Sequence, residues 1–318
     1  MTISIALVGC GAIARAHAKT LRTFGPRVRV AFASRDAVRA ESYRRECNGF
    51  AAFAGYAAAF ADPRVDAVMV TTPPAQHLEL TLDALRGGKH VIVEKPAFLR
   101  SSDASQVDAV ARSAGKQVLV AENYAYKPLT LLLRELLDAG EIGTPTLVRL
   151  SALKFQATSD WRASPELAGG GALFEGGVHW VNLLGWLGSE IVDVTGFRPR
   201  PGAEQERTMV VVVRYANGAV GTLHHSWETR SALKGISLSQ IIGDKGTIIF
   251  ESNGMFVALN GTRRRLFFPG VRDMRGFRGM FDDFLSALET SAPPRMTLAR
   301  ARQDLEVIER AYTTARIT

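Results

Sequence analysis

The sequence predicts an α/β protein: a doubly wound parallel sheet first, then an α+β region built on a mostly antiparallel open sheet. Three observations predict it. Over the first 120 residues, short apolar runs of strand length alternate with helical patterns. A glycine turn, Gly9-Cys10-Gly11-Ala12-Ile13-Ala14, joins the first strand to the first helix. Beyond residue 144, short strands broken by Asn-Gly pairs take over.

Residues 3–8 form a continuous apolar strand, and residues 12–23 a helix stopped by Gly25-Pro26. The next strand is 28–33. Asp36 reads as the N-cap of a helix running to about residue 47. Strand 67–70 ends at Thr71-Thr72-Pro73-Pro74, and the helix from about 75 to 86 is closed by Gly87-Gly88. Strand 90–93, helix 102–114 and strand 117–121 complete the first domain, residues 1–121.

Residues 122–318 form the second domain. Leu129, Leu132, Leu133, Leu136 and Leu137 share one helix face ended by Gly140. Strands 207–215 and 219–227 flank Asn217-Gly218, which predicts a type I′ hairpin. Met274, Phe277, Phe281, Phe284, Leu285 and Leu288 mark one late helix, and Leu298, Leu305, Ile308 and Tyr312 another. Val210 to Val213 leave no polar face on their strand, so both faces need cover. Helices cover one; a second copy of the chain is expected on the other, giving a homodimer or homotetramer through this sheet.

With 318 residues, 47% of them hydrophobic and 22% charged, the chain has the composition of an ordinary globular protein. No apolar run approaches the roughly 20 residues that cross a bilayer, so no membrane partner is expected. The amino-terminal apolar run enters the glycine turn directly and reads as a strand, not a signal peptide. Two cysteines, one inside that turn, suit a reduced cytoplasmic protein, and neither has a metal ligand at zinc spacing. The net charge of +8 comes from scattered basic residues; Arg263-Arg264-Arg265 is the only dense run, so nucleic acid is not expected as a partner.

The glycine turn has G-x-G-x-x-A spacing between a strand and a helix, which points to a dinucleotide. Gly9 permits the tight turn, Gly11 lets a pyrophosphate approach the helix start at Ala12 and Ile13, and Ala14 permits close helix packing. After the second strand come Ser34 and Arg35, which would hold a 2′-phosphate if Asp36 is a helix cap. Asp36 would instead be the ribose acid if Arg35 is merely solvated. The first alternative points to NADP, the second to NAD. Glu94-Lys95-Pro96 follows a buried strand and places Lys95 at the carboxyl end of the parallel sheet, where such folds bind ligands. Further on, Gly169-Gly170-Gly171 opens a loop and a helix begins near Gly177. His179 and Asn182, three apart, share a face, and Glu175 can reach back toward it. A carboxylate beside a histidine fixes its tautomer and raises its basicity. His224 and His225 are adjacent on a strand, so at most one faces a cleft; a sheet or interface role is the simpler reading.

The glycine turn, Glu94-Lys95-Pro96 and the Gly-Gly…Glu175-Gly176-x-x-His179 segment together resemble the GFO/IDH/MocA oxidoreductases. Thr71-Thr72-Pro73-Pro74 with His77, and Ala121-Glu122-Asn123-Tyr124 at the domain junction, add to the resemblance, which runs over nearly the whole chain. It implies an amino-terminal Rossmann domain, a carboxy-terminal substrate-binding and oligomerisation domain, and NAD(P)-dependent dehydrogenase or reductase activity on sugars, cyclitols and related polyols. The family's lysine falls on Lys95 and its catalytic histidine on His179. The aspartate four residues earlier falls on Glu175, and the common aspartate three residues later on Asn182. Thr71, Thr72, Pro73, His77, Glu94 and Lys95 are expected beside the cofactor. Asn123, Trp161, Arg162 and Asn182 are expected beside the substrate. Alternatives are a redox-neutral enzyme of glycosidase type that uses NAD transiently, and a non-catalytic ligand sensor.

Overall fold

A computed structural model describes residues 2–199, 205–230 and 236–317. The chain forms two compact units. The first comprises Met1–Glu122 and Phe277–Arg302; the second comprises Asn123–Gly276 and Gln303–Thr318. A cut at residue 121 therefore differs from this division at Glu122 and at residues 277–302, a segment that belongs to the first unit.

In the first unit the elements run β1 (Ile3–Val8), α1 (Ala12–Arg22), β2 (Val28–Ser34), α2 (Ala37–Glu46), β3 (Ala51–Ala54), α3 (Tyr56–Ala61), β4 (Ala67–Val70), α4 (His77–Arg86), β5 (His90–Glu94), α5 (Ser101–Ala114) and β6 (Val118–Ala121). Six strands pair in the order β3-β2-β1-β4-β5-β6, all parallel. Strands β1 and β4 are buried at every position, as a sheet covered on both faces requires. The order reverses direction at β1 and β4, so the ends of these strands flank the crevice where a doubly wound sheet takes its ligand. Strand β3 and helix α3 escape the sequence reading because residues 51–61 are mostly alanine with glycine between, which carries neither period.

In the second unit follow α6 (Pro128–Asp138), β7 (Pro145–Leu153), α7 (Pro165–Ala168), α8 (Val178–Leu187), β8 (Ile191–Arg198), β9 (Thr208–Tyr215), β10 (Val220–Ser226), β11 (Leu238–Gly243), β12 (Gly246–Glu251), β13 (Val257–Asn260) and β14 (Arg264–Phe267). Helices α9 (Phe277–Thr290) and α10 (Leu298–Thr314) and the short β15 (Arg316–Ile317) close the chain. The strand order is β14-β13-β12-β11-β7-β10-β9-β8-β15. Pairing is antiparallel except for β10 with β7 and β15 with β8. Helix α8 is apolar nearly all round, and seven of its ten residues are buried, which marks an internal helix.

Two local expectations are corrected. In the turn after β9, Gly218 takes φ +86 and donates its N–H to the Tyr215 carbonyl, whereas Asn217 keeps a negative φ. This is a type I turn ending in a glycine bulge, because three residues, not two, separate the paired Tyr215 and Ala219. Met274 lies before α9 and is exposed, while Met280 takes a fully buried place on that helix.

The valine run alternates by the pleat: Val211 and Val213 are buried, Val210 and Val212 only half-buried. On that half-covered side Val210 pairs with His224, and Val212 with Thr222. His225 turns to the other side, is buried, and packs edge-on to Trp227.

Candidate functional site

In the first unit, the glycine turn folds as its sequence requires. Gly9 has φ +101, and a Cβ there would lie 3.0 Å from the Thr72 side chain and 3.1 Å from the Thr71–Thr72 backbone. Thr71 is tied to the same turn, its hydroxyl donating to the Val8 and Gly9 carbonyls at 3.0 and 2.7 Å. Gly11 is the N-cap of α1 and supplies no side-chain cap; a Cβ there would meet nothing within 4 Å. The first-turn N–H groups at exposed Ala12 and half-buried Ile13 are therefore left for an anion, and these residues fit a dinucleotide pyrophosphate. Ala14 is fully buried against the sheet. Cys10 and Cys47 are free and buried; burial pushes the Cys10 thiol up to about 11, so it stays a neutral thiol in the turn.

At the end of β2, the Asp36 carboxylate accepts N–H bonds from Val38 at 2.9 Å and Arg39 at 3.1 Å, the helix cap the sequence suggested. Ser34 is buried and its hydroxyl accepts the Asp36 N–H at 3.1 Å. Arg35 is exposed beside them.

The Glu94-Lys95-Pro96 turn is braced from two sides. Glu94 is buried; its carboxylate takes a short hydrogen bond from His17 Nε2 on α1 and accepts the Lys95 N–H at 3.0 Å. Burial alone would raise this carboxyl. The His17 hydrogen bond and the nearby Lys95 ammonium outweigh it and hold Glu94 below the usual carboxylate range. His17 has no exposed surface and packs edge-on to Phe277 and Phe281 of α9. His77 lies with Nδ1 2.9 Å from the Pro96 carbonyl and 3.2 Å from that of Ala97, and with Nε2 2.8 Å from the Thr72 carbonyl. Burial holds it below the usual histidine range. Of the residues expected at the cofactor, Glu94 therefore has one oxygen on the His17 ring and the other on the Lys95 N–H, and His77 lies against the carbonyls of Thr72, Pro96 and Ala97. Lys95, Thr72 and Pro73 are half-buried and keep surface to offer. His17 gave no sequence signal, since its partner lies 77 residues away.

In the second unit, residues 173–177 make a π-helical turn that runs directly into α8. His179 is half-buried and stacks on Tyr124, ring centroids 4.2 Å apart and planes 10° from parallel. The Lys127 ammonium lies 4.2 Å from the centroid of the same Tyr124 ring. Glu175 is buried and accepts from Arg162 Nε at 3.1 Å; Arg162 in turn stacks on Trp161 at 4.3 Å. Trp161, Arg162 and Glu175 therefore form one assembly, and the Glu175 carboxylate has a guanidinium on it. Asn182 has no exposed surface and donates to Asp304 of α10 at 2.6 Å. Asn123 donates to the Arg275 carbonyl at 2.5 Å. Both were expected at the substrate; the structure places Asn182 in the interior of α8 beside Asp304 and engages the Asn123 amide with the chain. Tyr124 and Lys127 were missed: an aromatic three residues before a lysine carries no chemistry until the fold stacks it on a histidine.

Comparison with known proteins gives a consistent result. A family model described as the oxidoreductase family, NAD-binding Rossmann fold, matches residues 3–122, and one for the GFO/IDH/MocA C-terminal domain matches residues 130–249. A 1,5-anhydro-D-fructose reductase of Ensifer adhaerens is 29% identical over 252 residues, covering 76% of this chain and 74% of that protein. An inositol 2-dehydrogenase of Saccharopolyspora erythraea is 30% identical over 228 residues, covering 69% and 65%. A crystal structure of GenD2 from gentamicin A biosynthesis, in complex with NAD, superposes with TM-score 0.86 at 26% identity over 99% of this chain and 94% of that one. Levoglucosan dehydrogenase in complex with NADH and levoglucosan shares the fold, with TM-score 0.88 at 20% identity over 99% and 97%.

The His17–Glu94 contact sets a test. In His17→Ala the buried carboxylate loses its donor, and chemical denaturation should show a loss of about 3–5 kcal/mol at neutral pH. Glu94 has a depressed pKa, so its contribution is full above the usual carboxylate range of about pH 4 and fades as pH falls through its own value. The gap between wild type and variant should therefore shrink on acidification. An equal gap at all pH values would mean that the bond is not charge-assisted.

Proposed function

Because the chain belongs to the GFO/IDH/MocA oxidoreductase family, we propose that it is an NAD(P)-dependent dehydrogenase or reductase acting on a CH–OH carbon of a sugar, cyclitol or related polyol. Support comes from the named activities of its relatives, a fructose-derivative reductase and an inositol dehydrogenase. The observation that carries the reading is that Lys95 and His179 each keep exposed surface while the residues around each are held by buried partners. That is the condition of a preorganised reacting group.

When bound, the nicotinamide supplies or accepts the hydride. The chain's residues handle the oxygen and its proton. Lys95 orients the reacting oxygen and offsets negative charge on it. His179 takes the hydroxyl proton in oxidation and returns it in reduction, a contribution of about 10²–10⁴-fold. Tyr124 fixes the plane of its ring. Glu175, with Arg162 on its carboxylate, offers acceptor and donor positions to neighbouring substrate hydroxyls, and Trp161 gives them an apolar wall. Ser34 and Arg35 favour NADP, since Asp36 is occupied as a helix cap.

If Lys95 and His179 serve one oxygen, their losses do not add. Lys95→Met and His179→Ala should each lower turnover at least roughly 100-fold, and the double variant little further. The assay is reduction of NADP+ or NAD+ followed by absorbance across a panel of sugars and cyclitols. Near-native turnover in His179→Ala would remove the acid–base assignment. Product formed without change in nicotinamide absorbance would favour a redox-neutral enzyme instead.

Arg35→Ala should weaken NADPH binding about ten- to a hundredfold in titration and leave NADH nearly unchanged. Equal weakening of both would show that Arg35 does not read the 2′-phosphate. The half-covered valines of β9 support a second copy of the chain on that sheet face. Light scattering at micromolar concentration should give a dimer or tetramer, and a monomer throughout would refute the arrangement.

A further inference from the structure

The helical run that carries Glu175 and His179 begins with three N–H groups that its own sequence does not cap. An N-cap side chain normally accepts from the second or third helical N–H, but Ala172 at this position has none to offer. The partners come from far along the chain. The Ala172 N–H goes to the Glu206 carbonyl at 2.8 Å. The Leu173 N–H goes to Glu206 Oε1 at 2.7 Å. The Phe174 N–H goes to the Tyr312 hydroxyl at 3.2 Å, and that hydroxyl donates to Glu206 Oε1 at 3.0 Å. A carboxyl group at this end also complements the helix dipole.

The glycine loop serves this arrangement. A Cβ at Gly171 would lie 1.8 Å from Glu206 Oε2 and 2.4 Å from the Glu206 carbonyl, so only glycine lets the carboxylate come this close. Glu206 is buried, and Tyr312 lies on α10. The same helix holds the middle of α8 through Asp304 and Asn182. Asp304 and Tyr312 are eight residues apart on α10, and their contacts at Asn182 and Phe174 are eight apart on the other run. One helix therefore grips the other at two points about two turns apart.

We infer that Glu206 and Tyr312 form a positioning pair: together they cap the helical run from a distance and set where Glu175 and His179 stand. The inference rests on the functional reading of those two residues above. Neither Glu206 nor Tyr312 reacts; both act through the helix start they hold.

Two measurements on the whole chain test it without any substrate, so failure here is separate from failure of the turnover assays. The first is hydrogen–deuterium exchange over residues 172–182. Tyr312→Phe and Glu206→Ala should speed exchange there about tenfold, the equivalent of one lost hydrogen bond, while strands β9 and β10 stay protected. Glu206→Gln keeps an acceptor oxygen at Oε1 and should restore near-wild-type protection. The second is the NMR signal of histidine-labelled protein. The His179 ring protons, shifted by the Tyr124 face, should move toward unstacked values in Tyr312→Phe and Glu206→Ala and stay near their wild-type positions in Glu206→Gln. Unchanged exchange and unchanged His179 signals in Tyr312→Phe would overturn the inference. So would loss of protection spread evenly over the second unit in both Tyr312→Phe and Glu206→Ala, which would mean a general stability role. If Glu206→Ala fails to fold, Tyr312→Phe decides alone.

Discussion

The buried carboxylate of Glu94 is the point on which the arrangement of the first unit's sheet edge depends. It joins three things that the sequence keeps apart: α1, through His17; the end of β5, where it sits; and the backbone of Lys95, whose N–H it accepts. Helix α1 opens at the glycine turn and β5 ends at the lysine, so one anion connects the two ligand-facing features of the sheet edge. A charge at this depth is tolerated only because its oxygens are occupied. The ring of His17, wedged between Glu94 and the phenylalanines of α9, shows how polar and apolar packing share the task.

The second unit solves the same problem with different means. His179 is held by a ring face rather than an ion, and Glu175 by a guanidinium that also stacks on an indole. Planar groups lose few torsions on being fixed, so stacking orients a side chain at small entropic cost. Helix α8, which carries His179, is mostly apolar and buried, and its buried amide, Asn182, is matched by Asp304.

Much of this was legible in the chain. Gly9, Gly11 and Asp36 act through local rules of backbone angle and capping, and they stand where those rules put them. The parallel sheet followed from apolar runs without polar alternation. Roles that depend on burial were not legible. His77 and Asn182 look alike in sequence as polar residues beside motifs, and nothing local shows that both are buried, one against backbone carbonyls and the other beside Asp304. Partners at long separation were invisible in principle: Glu206 meets Leu173 across 33 residues and Tyr312 meets Phe174 across 138. The turn at Asn217-Gly218 failed for a smaller reason, since the same dipeptide suits two loop lengths and pairing of Tyr215 with Ala219 selects the longer.

The division of labour at the end of β2 bears on how such a protein diversifies. Asp36 is committed to folding, because it caps α2, whereas Arg35 beside it is exposed and outside the core. Selection can therefore rewrite the neighbouring surface position while the helix beneath it forms unchanged. No comparable latitude exists around Lys95, where each adjoining group supports another. Within the first unit, then, a substitution at Arg35 leaves the cap of α2 in place, whereas one at the end of β5 disturbs several buried groups at once.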